Sequence, residues 1–379
     1  MNVVCFSDVA WNFIWQRQHH LISRFPAGWK ILYVEPSFWK ACILKIINFF
    51  SQIKAPKNSN ILVTSIPTVP LFEISKITRK INDKIILHCM QSLVRSHNLD
   101  NFLLALIIYN PRFSCVVGRL GECLSCYDII DDKLEFKAIP RWLEIHHKFL
   151  IDNVNMITVS SAVLLKEIQK HRTNDVFLIG NGVETSHFKK ALLDKQMIIP
   201  NDIRHIKYPI VGYIGSIGEW FDFNLLEDIL RIYPDVSVLL IGWVFTKQRP
   251  LLKKLQRNYK NLYFLGRRSY SMLPYYVRAF TVCIIPFRVY KLTQAVNPIK
   301  LYEYLAAGKP VVSMSLSELY NYKDVIYLAN DYKEFLEFIQ MALHNRHDTE
   351  KFLEIAHEND WQSKVEQMIE LIVNYCSQH

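Results

Sequence analysis

The chain predicts an α/β protein of two doubly wound, Rossmann-like parallel-sheet domains facing one another across a cleft. Three observations carry that expectation. Its 379 residues suit two domains of roughly 100–200 residues each. Apolar runs of strand length alternate with helical segments through both halves, as in parallel sheets covered on both faces. Between the halves, residues 190–208 hold Pro200, are followed by Pro209, have few aliphatics besides MII, and read as a linker. The domains are placed at 1–190 and 205–360, with 361–379 crossing back onto the first.

Composition narrows the classes. Half of the residues are hydrophobic, so a large core is within reach. The net charge is +10, which favours phosphate-bearing partners such as nucleic acid, an anionic membrane face or sugar nucleotides. The basic residues are spread along the chain without a nucleic-acid-binding module, which excludes nucleic acid as a partner. No long uncharged apolar run predicts a spanning helix, and no basic leader precedes the first strand. The eight cysteines are scattered. Cys123 and Cys126 form a lone CxxC without a second pair, and buried reduced thiols in a cytoplasmic protein are expected.

Taken in order, Val3–Phe6 reads as the first strand and leads into a loop with Ser7, Asp8, Trp11 and Asn12. WQRQHHLISRF has helical apolar spacing, and ILYVEP is the second strand. Arg17 and Gln18 fall at the mouth of the first βα loop, where open α/β sheets bind ligands. Residues 39–54 place Lys40 and Lys45 on one helical side and Trp39, Ile43, Ile46, Ile47 and Phe50 on the other. Such a segment either lies in a membrane interface or packs into the first domain. ILVTS and LLALIIY are further strands. YDIIDD, residues 127–132, is a strand ending in paired carboxylates. Asp131 and Asp132 could orient or deprotonate a hydroxyl, or close a solvated turn. The chain has no Asp-x-Asp, which argues against a metal site of that kind.

The second half opens on IVGYIGSIGEWFDFNLL. Its glycines are spaced GxxGxxG, so no dinucleotide fingerprint is claimed, yet Gly215 and Gly218 permit close approach of a phosphate or sugar. VSVLLIG, a helix over 248–258 and LYFLG follow. Arg267 and Arg268 then leave a strand end, where they either neutralise a diphosphate or stay solvated. Residues 284–313, IIPFRVYKLTQAVNPIKLYEYLAAGKPVVS, run strand, loop, helix, turn and strand. Asn297 is expected to cap the helix, Pro298 to occupy its first turn, and Gly308 and Pro310 to end it. Lys300 and Glu303 share a face near the helix N-terminus, an end that attracts phosphate.

NPIKLYEYLAAGKPVV resembles the C-terminal domain of GT-B-fold glycosyltransferases, especially glycosyltransferase family 4 and bacterial polysaccharide enzymes. WQRQHHL, YDIIDD, NGV at 181–183 and GYIGSIGEWFD resemble further parts of the same enzymes. The resemblance implies a retaining, metal-independent transfer from a nucleotide-diphosphate sugar, without a cofactor, to a glycan or lipid-linked acceptor. It places the donor on Gly215, Ser216, Arg267, Asn297, Pro298, Lys300 and Glu303, with Glu303 on the ribose. Asp8, Arg17 and Asp128 fall on the acceptor side, and Asp131, Asp132 and Lys300 take catalytic roles. The family's other Glu is replaced by Ala295, so the sugar would be held by backbone amides or by Thr293, Gln294 and Asn297. A sugar-nucleotide epimerase and a catalytically silent partner in polysaccharide assembly are the alternatives. The expected location is cytoplasmic, peripheral on the inner membrane face if 39–54 meets lipid.

Overall fold

A computed structural model describes residues 1–36, 60–66, 75–132 and 141–378. The 39–54 segment lies outside the described residues. The chain divides into two compact units, Met1–Gly180 with the C-terminal segment from Lys364, and Asn181–Ser363.

In the first unit seven parallel strands have the order β3-β2-β1-β4-β5-β6-β7. They are β1 (Asn2–Phe6), β2 (Lys30–Glu35), β3 (Ile61–Ser65), β4 (Leu104–Ile108), β5 (Leu124–Ile129), β6 (Met156–Val159) and β7 (Val176–Leu178). Every residue of β1, β4, β5 and β6 is buried, as continuous apolar runs require of strands covered on both faces. β1 is in register with both β2 and β4, through Val4↔Leu32 and Val4↔Leu106. The sheet order therefore reverses at β1.

The second unit repeats the plan with β8 (Ile210–Ile214), β9 (Ser237–Ile241), β10 (Leu262–Phe264), β11 (Val282–Ile285), β12 (Val311–Met314) and β13 (Tyr327–Ala329). Its order is β10-β9-β8-β11-β12-β13, all parallel. β8 is its reversal point, between β9 and β11. Asp222 starts the helix Phe223–Ile232, its carboxylate accepting from the Asn224 and Leu225 N–H groups. Tyr332 donates its hydroxyl to the same carboxylate.

Two sequence expectations change. Residues 190–208 are not a bare linker: Ala191, Ile203 and Ile206 are buried in the second unit's core, while Leu193 and Ile198 stay exposed. The division falls after Gly180 rather than at 190. The cysteines also differ from the all-thiol expectation. Cys123 forms a disulfide with Cys376 of the C-terminal helix, while Cys126 is a buried thiol. A CxxC on one strand cannot reveal a partner 253 residues away.

Candidate functional site

The second unit's site is built at the carboxyl ends of β8, β9 and β11, where open α/β sheets bind ligands. Gly215 ends β8 with φ +144° and donates its N–H to the Ile241 carbonyl at 2.9 Å. Gly242, at the end of β9, has φ +150°, and a Cβ there would lie 1.9 Å from the Gly215 oxygen. Its own N–H donates to Gly266 at the end of β10, 3.0 Å away. The three strand ends thus form one row of glycines, and Arg267 follows, exposed. Its neighbour Arg268 is committed to Asp202 at 2.8 Å and to the Tyr276 hydroxyl at 3.0 Å. The Ser216 carbonyl accepts from the Tyr213 hydroxyl at 2.8 Å and from the Trp220 indole at 3.3 Å. The Gly-rich loop is thereby fixed from below.

The helix Ile299–Ala306 brings the charged groups to this row. Its N-cap is Pro298 and no side chain caps it, so the expectation that Asn297 caps the helix is corrected. The main-chain carbonyl of Asn297 accepts from the Asn181 side-chain amide at 2.7 Å. The Asn297 Oδ1 is buried and, among the described residues, has no hydrogen-bond partner. The NGV string therefore braces the helix start. The side chain of Lys300 runs along Gly215, whose Cβ position lies 3.1 Å from Cε. Its Nζ stands 4.6 Å from the Phe287 ring centre and 5.6 Å from that of Tyr213. Two aromatic faces attract the cation and aim it.

Glu303 lies one turn further on and is 9% exposed. Burial lifts its carboxyl from 4.5 to about 7, and Lys300 opposes that only in part. Among the described residues no donor reaches this carboxylate. A buried carboxylate without donors is costly, and such a group beside a cation at a sheet's reversal point has the character of a ligand acceptor. Ala295 is buried at the end of the short helix Lys291–Gln294. Thr293 and Gln294 do not point to a ligand. The Thr293 hydroxyl donates to the Arg288 carbonyl at 2.6 Å, and Gln294 holds Ser315 and Ser317 at 3.2 and 2.7 Å.

In the first unit, Arg17 and Asp128 are both fully buried and meet through two bonds of 2.9 and 3.1 Å. Thr158 donates to the same carboxylate at 2.9 Å, and Arg17 also donates to the Gly180 carbonyl at 2.9 Å. Arg17 and Asp128 thus hold β5 and β6 to the first helix from a fully buried position on the side where the acceptor was expected. Asp8 accepts from the Gln18 amide at 2.9 Å. Asp131 and Asp132 follow β5, half-buried. Burial first, then Asp8, Asp128 and Asp132, push the Tyr127 hydroxyl well above its ordinary range. The Tyr127 hydroxyl meets His147 at 2.8 Å.

Sequence reasoning missed Tyr213 and Phe287 as the walls around Lys300, and Gly242 as the partner of Gly215. The repeated Ile-Gly, Ile-Gly and Leu-Gly strand endings at 214–215, 241–242 and 265–266 could have shown the glycine row.

Comparison with known proteins agrees with this geometry. Residues 208–345 match the family described as "Glycosyl transferases group 1". A curated relative named as a teichuronic acid biosynthesis glycosyltransferase, TuaH of Bacillus subtilis (strain 168), is 29% identical over 170 residues. That match spans 44% of this chain and 42% of the relative. Among solved structures, sucrose-phosphate synthase from Thermosynechococcus elongatus superposes with a TM-score of 0.77 at 14% identity, covering 100% of both chains. Anabaena HepE, in complex with UDP and glucose, has a TM-score of 0.68 at 14% identity, covering 98% of this chain and 99% of its own. The two parallel-sheet units have the GT-B fold, and residues 208–345 are a glycosyl transferases group 1 domain.

Proposed function

We propose that this protein is a glycosyltransferase of cell-surface polysaccharide biosynthesis. It would move a sugar from a nucleotide-diphosphate donor to a glycan or lipid-linked saccharide, with retention and without a metal. The observation that carries this reading is the buried Glu303 carboxylate, held without donors beside Lys300 at the reversal point of the second sheet. A ribose diol supplies two hydroxyl donors, and a diphosphate supplies the anion for Lys300, Arg267 and the uncapped helix start. HepE is a neighbour of similar fold whose complex holds UDP and glucose, which supports the same ligand class here. Charge growing on the departing diphosphate would be stabilised by fixed groups, chiefly Lys300 and the N–H groups after Pro298.

The first unit takes the acceptor in this reading, with Asp131 or Asp132 orienting or deprotonating its hydroxyl and Asp8 as a further acceptor-side carboxylate. The 39–54 sequence would give peripheral contact with anionic lipid at the cytoplasmic face. Incubation with a panel of nucleotide sugars and candidate acceptors, with and without a chelator, tests the reading. Acceptor-dependent nucleotide release that survives chelation is the expected result. Release without transfer, product epimerised at one carbon, or no turnover with any donor would contradict it.

A further inference from the structure

The helix Arg249–Asn258 carries a surface that the donor site does not use. Leu252 and Leu255 face the core. Outward it presents Arg249, Lys253, Lys254 and Arg257, with Lys247 and Lys260 at either end, all exposed. No acidic residue occurs between Gly242 and Asn261, and among the described residues none of the six cations forms an ion pair. Four of the cations line a concavity of about 490 Å³ together with Thr246, Pro250 and Asn258. Beside them Trp243, Phe245 and Leu251 are 37%, 46% and 45% exposed. The Arg249 guanidinium stacks 5.5 Å over the Trp243 ring. The acids of the adjoining helix are engaged elsewhere, Glu227 with Tyr259 and Asp228 with Arg231.

Charge on a helix exterior is ordinary. Charge of one sign, without counter-charges and interleaved with three large exposed apolar side chains, is not. We infer that this face of the second unit docks on an anionic lipid bilayer, the cations meeting headgroup phosphates while Trp243, Phe245 and Leu251 enter the interface. A soluble polyanion would match the cations but leave the apolar side chains in water. The face is continuous with the donor loop. Ile217 N–H donates to the Trp243 carbonyl at 2.7 Å, and Phe245 N–H donates to the Ile217 carbonyl at 3.0 Å. The Phe245 ring meets Trp220 at 5.6 Å. Docking therefore brings the Gly215–Gly218 loop to the lipid surface, where a lipid-linked acceptor resides. Only that purpose rests on the proposed function; the binding itself does not.

Vesicle flotation of the full chain, without donor or acceptor, tests it. Wild type should float with phosphatidylcholine vesicles containing phosphatidylglycerol, less so at high salt, and not with phosphatidylcholine alone. Each cation contributes about five-fold to partitioning, so Lys253→Glu, Lys254→Glu and Arg257→Glu together should cut binding about 100-fold. Trp243→Ser with Leu251→Ser should also weaken it. Circular dichroism confirms that each variant is folded. Glu303→Ala should float like wild type, which separates docking from donor binding. Unchanged flotation of the triple variant overturns the proposal, as does loss only when Lys40, Lys45 and Lys54 are reversed. So does full competition by heparin with no effect of the Trp243 and Leu251 changes, which would mark a polyanion site.

Discussion

Glu303 makes a sharp prediction because its environment works against its charge. Its carboxyl sits at about 7 in the folded protein against 4.5 ordinarily. Between those values the folded chain holds a proton that the unfolded chain has lost, so stability is full below 4.5 and falls as pH rises to about 7. Glu303→Gln should therefore stabilise the ligand-free protein by about 1–3 kcal/mol near pH 8 and hardly at all near pH 4. Chemical denaturation at the two pH values checks this. A ribose diol needs the ionised acceptor, so wild-type nucleotide affinity should rise with pH and level off above about 7, a dependence absent from Glu303→Gln. Lys300 acts differently. Its loss should lower turnover roughly 100-fold while weakening donor binding much less, as removal of a transition-state donor does. Steady-state kinetics of Lys300→Ala beside its nucleotide affinity shows which quantity moves.

At the scale of elements, the site depends on strand ends that nearly touch. A methyl at Gly242 would lie 1.9 Å from the Gly215 oxygen, at a φ of +150° that side chains rarely adopt. Gly242→Ala should displace the β8 loop and weaken nucleotide binding about tenfold or more, roughly 1.4 kcal/mol, by calorimetry. Asp222→Ala removes the cap of the 223–232 helix and leaves the half-buried Tyr332 hydroxyl without this acceptor. It should cost about 2–3 kcal/mol in urea unfolding.

The elements themselves were legible because buried parallel strands are continuous apolar runs, and the 284–313 string carries its own stop signals. That Lys300 and Glu303 share one face of the helix was legible from their three-residue spacing, while their site role came from the resemblance. Asn297 was misread because capping was judged from the residue type, whereas the helix begins one residue later, with Pro298 at its cap position. The pairing of Arg17 with Asp128 was not legible because the two lie 111 positions apart, and only the fold shows that they meet. The packing of 190–208 escaped notice because its scattered aliphatics, some buried and some exposed, make no periodic pattern.

Across the whole molecule, the first unit is completed by the end of the chain. Cys376 on the helix Trp361–Gln378 is bonded to Cys123 beside β5, and the Asn155 amide donates to the Tyr375 hydroxyl at 2.8 Å. A bridge closing so long a loop restricts the unfolded chain. Cys376→Ser should lower stability by about 2–4 kcal/mol, and reductant should do the same to wild type but not to the variant. Thermal unfolding with and without reductant decides this.

The central claim is that the second unit binds a nucleotide-diphosphate sugar through Glu303 and Lys300 at the β8–β11 reversal point. Calorimetric titration of nucleoside diphosphates into wild type and into Glu303→Ala tests it most directly. The expected result is saturable wild-type binding of at least one nucleotide, weakened about tenfold or more, roughly 1.4 kcal/mol, in Glu303→Ala. Equal affinity in the two proteins, or no binding of any nucleotide by folded wild type, would contradict it.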